Sequence, residues 1–288
     1  MYLFEDFDAE IAMKLCAQGV EKIGLHVNPI SSTLGELLKF VERERPAIEQ
    51  LEREGVSVEY EVHVIGDILP RECFSDEPEL FRMDESGART PNYNLCPSSE
   101  RAMRLLEDGA ERLARTLRQA SHRYHFWPDD DMGGDVRCHC PRCKKMSATV
   151  QNRLMCEAIL RGLRRYDREA QNSLLIYGME EIDEPLPSGI YAEFAPFRRM
   201  HAIPITEGEI NDGFRERLER LLKMGDTEVL EYFLSYDFEG FVRESGRVEA
   251  DLHYYRSIGV EHISTFVVFP KGISRARKRS GLLKYIAL

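Results

Sequence analysis

Residues 124 to 143 read Tyr124-His-Phe-Trp-Pro-Asp-Asp-Asp-Met-Gly-Gly-Asp-Val-Arg-Cys-His-Cys-Pro-Arg-Cys143. A short apolar run of strand character empties into three consecutive carboxylates, a Gly-Gly pair and then three cysteines within six positions. A helical pattern follows from about Lys145 to Tyr166, with Met146, Val150, Leu154, Ile159 and Leu163 broadly along one face. The stretch is therefore one strand, loop and helix unit whose loop carries reactive groups. Whether that unit recurs along the chain decides the fold.

It does recur. Strand patterns run from Met1 to Glu5, Lys22 to Val27, Val56 to Ile65, Tyr124 to Trp127, Ser173 to Gly178, Ile190 to Phe194, Glu228 to Leu234 and His262 to Phe269. Between most of them lie amphipathic helical patterns. One carries Ile11, Leu15 and Cys16; the next opens on the capping box Thr33 and Glu36 and stops at Gly55. Others span Glu100 to Ala120, Asn211 to Met224 and Glu244 to Ile258, with a last one expected over Arg275 to Leu288. Eight strands alternating with helices imply parallel pairing and a closed (β/α)8 TIM-type barrel, with one helix reduced or missing between Gly178 and Ile190. The alternative is an open doubly wound sheet, but no glycine-rich dinucleotide or P-loop signature follows any strand. The expected organisation is a single domain over residues 1–288, with a long loop at about 66–99 and a Cys-rich loop at 129–145.

The 288 residues include 39 basic and 50 acidic side chains, a formal charge of -11, which repels phosphate backbones and acidic membrane surfaces. Nucleic acid and membrane are thus not expected as partners, and no run approaches the roughly 20 apolar residues of a membrane helix. Seven cysteines, an odd number unevenly clustered, do not form a secreted disulfide framework. The expected location is cytoplasmic, and the expected partner is a small or neutral molecule.

In a (β/α)8 enzyme the reacting groups stand at the carboxyl ends of the strands. Those positions here hold His26 and Asn28, His63 and Asp67, Trp127 with Asp129 to Asp131, Tyr177 with Glu180 and Glu181, Glu193, and Glu231 with Tyr232. Carboxylates with aromatic neighbours around one concavity suit glycoside hydrolysis, in which one carboxyl protonates the leaving oxygen and another is nucleophile or base. Asp130 is the leading acid, with Glu231 or Glu193 as partner. Trp127 and Tyr177 are expected to stack on a sugar ring, with His26, His63 and Glu181 completing the substrate contacts. The blander reading is that acids after strands cap helices or solvate loops. It is weakest for Glu193 and Glu231, which lie inside apolar strands and need either a polar mouth or a cationic partner. A sugar-binding barrel without turnover is the competing function.

Cys138, Cys140 and Cys143 form a C-x-C-x-x-C pattern beside Arg137 and Arg142, which favour thiolates. A closed tetrahedral site needs a fourth ligand. Cys96 sits in the preceding strand-helix loop, adjacent across the barrel top, and His139 is the other nearby donor. Structural zinc on Cys96, Cys138, Cys140 and Cys143 is expected; free thiols and an iron-sulfur cluster are the alternatives. Catalytic zinc is disfavoured, because three or four thiolates leave no open position. No organic cofactor is expected.

Six motifs occur in order: Phe81-Arg-Met-Asp-Glu-Ser-Gly-Ala-Arg89, Asn94-Leu-Cys-Pro-Ser-Ser-Glu100, Trp127-Pro-Asp-Asp-Asp131, Cys138-His-Cys-Pro-Arg-Cys143, Leu186-Pro-Ser-Gly-Ile-Tyr-Ala-Glu-Phe-Ala-Pro196 and Val229-Leu-Glu-Tyr-Phe233. Together, over roughly residues 55 to 270, they resemble the glycoside-hydrolase-like domain of unknown function family 4838. That family is similar to α-glucuronidase and hexosaminidase barrels. The resemblance implies a (β/α)8 fold and action on, or binding of, carbohydrate. It places Cys96, Asp130, Cys138, Cys140, Cys143, Glu193 and Glu231 at motif positions. The chain departs from the pattern in carrying Asp-Asp-Asp-Met-Gly-Gly-Asp where a shorter acidic turn is usual.

Overall fold

The computed structural model describes residues 1–27, 32–130, 135–177, 182, 184–234 and 245–267. Eight strands form among them: β1 (Tyr2–Leu3), β2 (Lys22–His26), β3 (Ser57–His63), β4 (Arg123–Trp127), β5 (Gln171–Ile176), β6 (Ile190–Phe194), β7 (Thr227–Leu234) and β8 (Ile263–Val267). They pair in sequence order, all parallel, and β8 returns to β1 to close the barrel. The helices are α1 (Ala9–Cys16), α2 (Leu34–Arg53), the single turn α3 (Ile65–Ile68), α4 (Glu100–Thr116), α5 (Ala148–Tyr166), α6 (Glu209–Met224) and α7 (Ser245–Ser257). The expected (β/α)8 architecture is the observed one, and no helix stands between β5 and β6 among the described residues. The helix expected over Arg275 to Leu288 lies outside them. No described helix is long and apolar enough to cross a membrane.

Local chemistry fixes where the helices begin. Thr33 and Glu36 make the reciprocal capping box of α2, and the hydroxyls of Ser99 and Ser147 accept from Ala102 and Val150 to open α4 and α5. α4 and α5 then pack without a gap. A Cβ at Gly162 would stand 2.1 Å from the Glu107 carbonyl oxygen, so only glycine lets the two backbones meet there.

Strand parity divides each strand between two environments. On β3, Val58, Tyr60 and Val62 join the apolar layer under the helices, as do Tyr124 and Phe126 on β4. The alternate residues point inward and are polar, where a barrel core usually stacks branched apolar side chains. Buried His125 lies 3.3 Å from Glu59, 3.0 Å from Glu193 and 3.4 Å from Glu228, bridging β3, β6 and β7 across the lumen. Lys22 reaches Glu59 at 3.3 Å, and Arg123 reaches Glu228 at 3.2 Å while lying over the Tyr191 ring. Burial opposes charge on His125, but Glu193, Glu228 and Glu59 hold its pKa well above the ordinary value. Burial likewise opposes ionisation of Glu59, yet the His125 hydrogen bond and charge, with Lys22, bring it down to about 2. At Glu61 burial wins: it pushes the pKa up to about 7 against the charges of His125 and the N-terminal amine. Its carboxyl fills the space left at Gly24, where a Cβ would come within 1.9 Å of Oε1.

Candidate active site at the barrel mouth

Above that ionic layer, the carboxyl ends of β2, β3 and β4 bring His26, His63 and Trp127 together. Nδ1 of His26 lies 2.6 Å from the Glu61 carbonyl and Nδ1 of His63 lies 2.6 Å from the Pro128 carbonyl. A carbonyl oxygen only accepts, so each ring carries a proton on Nδ1 and turns Nε2 away from that bond. Burial, reinforced by the neighbouring His63, lowers the His26 pKa to about 3 and keeps that ring neutral. The indole Nε1 of Trp127 donates to Ser173 Oγ at 2.7 Å and to Glu193 Oε2 at 3.1 Å. The ring is 2% exposed and sits 5.2 Å from His63 and 6.1 Å from His26. Trp127 is therefore the floor of the mouth, which corrects its expected role as an open stacking surface.

The acids after β4 take different places. Asp129 is buttressed, with Oδ2 2.5 Å from Arg71 Nη2, and its backbone N–H donates to Asn94 Oδ1 at 2.7 Å. Burial raises the Asp129 pKa in spite of Arg71, and burial together with Asp129 raises that of Asp67. Asp130 is exposed and accepts from the Tyr177 hydroxyl at 2.9 Å. Burial first, then the charges of Asp130 and Glu193, keep the Tyr177 phenol well above its ordinary pKa, so this hydroxyl lies in the field of both carboxylates. Glu193 is only 1% exposed, held under the floor by Trp127 and His125. Glu181 and Asp131 lie outside the described residues.

Glu231 does not share this space. Its neighbours Leu230 and Tyr232 face the mouth with Tyr177 and Phe266, so its own side chain points through the wall toward α7. There Oε1 accepts from Arg199 Nε at 2.9 Å and from the Tyr255 hydroxyl, and Oε2 accepts from the Tyr232 N–H at 3.0 Å. Arg199 also bonds Asp251 at 2.6 Å, and the Arg199, Glu231 and Asp251 side chains are fully buried. Glu231 found the cationic partner its apolar strand demanded. Its assignment as a mouth carboxylate is corrected to a buried ion-pair role.

The open aromatic surface is one the sequence reading passed over. Phe197, 41% exposed on the loop after β6, lies 5.1 Å from Tyr232, which lies 6.2 Å from Phe266. The available signal was an aromatic residue directly after Pro196 at the carboxyl end of a strand. Beside the mouth, the structure brings Cys96, Cys138, Cys140 and Cys143 into one buried cluster with all four sulfurs within 4.8 Å of one another. His139 turns away from it to Asp135, 2.8 Å off.

No family model matches the chain, and no curated protein matches it. Solved structures do. A β-N-acetylhexosaminidase from Bacteroides fragilis superposes with a TM-score of 0.58 at 12% identity, over 98% of this chain and 63% of its own. A β-glucanase from Saccharophagus degradans, in complex with cellotetraose, gives 0.57 at 11% identity, over 97% and 81%. An exo-β-1,4-mannosidase from an Opitutaceae bacterium gives 0.53 at 11% identity over 96% of this chain, which spans about half of that enzyme, 51%. At such identities the likeness establishes the barrel fold.

Proposed function

We propose that this chain is a carbohydrate-active barrel of the glycoside hydrolase kind, in which Asp130 protonates the leaving oxygen and Glu193 is its carboxylate partner. The observation carrying the reading is that Asp130 accepts from the Tyr177 hydroxyl at 2.9 Å at the end of the barrel where (β/α)8 enzymes work, with Glu193 on the inward face of β6 bonded to Trp127 beneath it. Supporting it are the His26 Nε2 acceptor and the His63 ring beside it, suited to sugar hydroxyls, and the exposed face of Phe197, suited to the apolar side of a ring. The structural likeness to glycosidases and the resemblance to family 4838 favour the same substrate class. The cellotetraose seen on one similar barrel makes a neutral oligosaccharide the first ligand to try.

The burial of Glu193 favours a second reading, sugar binding without turnover. Aryl glycosides and uronides assayed on the wild type, Asp130→Asn and Glu193→Gln separate the two. The hydrolase reading expects turnover that falls by at least about 100-fold in each variant. Turnover indifferent to both changes refutes the assignment, and oligosaccharide binding with no turnover selects the second reading.

A further inference from the structure

We infer that Cys96, Cys138, Cys140 and Cys143 hold one zinc ion in a closed tetrahedral site, and that this site fixes the position of the acids after β4. Four sulfurs about 2.3 Å from a central zinc stand roughly 3.8 Å apart. Here Cys96 Sγ lies 3.8 Å from Cys140, 3.8 Å from Cys143 and 3.5 Å from Cys138. A disulfide needs sulfurs about 2.05 Å apart, so this arrangement is a ligand cage and not a pair of crosslinks.

The surroundings are those of thiolates. The backbone N–H of Met83 donates to Cys138 Sγ at 3.3 Å, and Ser98 Oγ lies 2.9 Å from Cys143 Sγ. Arg89 brings positive charge to within 3.9 Å of Cys138 Sγ. The ligand loop is itself locked: buried Gln151 on α5 accepts from the Cys138 N–H at 2.8 Å and donates to the Cys138 and Cys143 carbonyls at 3.1 and 3.2 Å. Such outer contacts orient the ligands of a metal site. Four thiolates leave no position for water or substrate, so the ion braces and does not catalyse.

What it braces follows from the chain path. The connection between α3 and α4 contains only short 3-10 turns and isolated bridges; Leu80, Phe81 and Leu95 tie it to the core, and Cys96 follows directly on Leu95. Cys96 ends that connection, and the other three ligands lie in the loop after β4. Asn94, two residues before Cys96, accepts the Asp129 N–H at 2.7 Å and donates to the Asp129 and Val136 carbonyls at 3.4 and 3.5 Å. The route runs from metal to Cys96, to Asn94, to Asp129 and Asp130. The zinc site stands without the hydrolase reading; only the consequence for Asp130 as an acid rests on it.

The test uses the full chain purified under reducing conditions, and its readouts do not require activity. Elemental analysis should find one zinc per chain, and cobalt exchanged for it should show thiolate-to-cobalt absorption with the visible bands of a tetrahedral ion. Because Trp127 is the sole tryptophan and precedes Asp129 by two residues, its emission reports the route. Chelation should shift that emission to the red, and zinc should restore it. Asn94→Ala should keep full zinc but reproduce the shift, whereas Cys140→Ser should lower zinc content at least tenfold. If Cys140→Ser fails to fold, chelation and cobalt exchange on the wild type decide alone. A folded, metal-free chain with these four thiols titratable, a brown iron-containing protein, or a disulfide in mass analysis overturns the zinc assignment. Full zinc with Trp127 emission indifferent to chelation and to Asn94→Ala overturns the brace.

Discussion

Glu61→Gln tests the lumen directly. The native pKa of Glu61 is raised to about 7 from an ordinary 4.5, because burial of its carboxyl against Gly24, with the Glu193 and Glu59 charges, outweighs the pull of His125 and the N-terminal amine. The native state thus binds a proton that the unfolded chain releases, and stability falls as pH rises from 4.5 through 7. At 1.36 kcal/mol per unit the full loss is about 3 kcal/mol, most of which falls between pH 5 and 8. Glutamine has the shape of the protonated acid and cannot ionise, so the variant escapes the loss. Its advantage over the wild type should be small at pH 5 and grow by about 2 to 3 kcal/mol at pH 8, or roughly 5 to 10 °C in Tm for a chain of this size. Urea unfolding of both proteins across that range measures it. An advantage that stays flat, or shrinks as pH rises, refutes a protonated Glu61.

Arg199→Ala should destabilise the fold by about 3 to 5 kcal/mol, since Glu231 and Asp251 would be left buried without their cation. A loss below about 1 kcal/mol in urea unfolding would mean that α7 reopens to water there. Gly162→Ala sets two effects against each other: alanine in a helix ordinarily gains about 1 kcal/mol over glycine, but here the methyl group meets the Glu107 carbonyl at 2.1 Å. Overpacking should win and lower the stability by about 1 to 3 kcal/mol. A stabilised variant would show that α4 and α5 separate at little cost.

The fold was legible because the signals that fix it are local. Thr33 with Glu36 marks a helix start, the short runs at Lys22 and Ile190 mark strands, and the span from Ile176 to Ile190 is too short for a further helix of ordinary length. The cysteine cluster was legible for a related reason. Three ligands lie within six residues, and consecutive strand-helix loops of a parallel barrel are neighbours, so Cys96 had to be near. Phe197 had only its place after Pro196 to mark it, and Asn94 was not legible, because loop residues acquire their roles from contacts made across the barrel top and not from any periodicity.

The carboxylates show the remaining limit. A strand buried on both faces reads as an apolar run without alternation, so its sequence does not say which residues face the lumen. In β7 the run Thr227-Glu-Val-Leu-Glu-Tyr-Phe-Leu234 offers two glutamates three residues apart, and period two must send them to opposite faces. Position along the strand favoured Glu231 as the mouth acid, being nearer the carboxyl end. Parity decided otherwise: Glu228 lies inward beside His125 and Arg123, and Glu231 lies outward on Arg199. On β6 the same rule puts Glu193 inside, because Ala192 and Phe194 pack under the helices. A barrel acid thus needs both conditions, the carboxyl end and the inward face, and of the two strand glutamates first considered only Glu193 meets both.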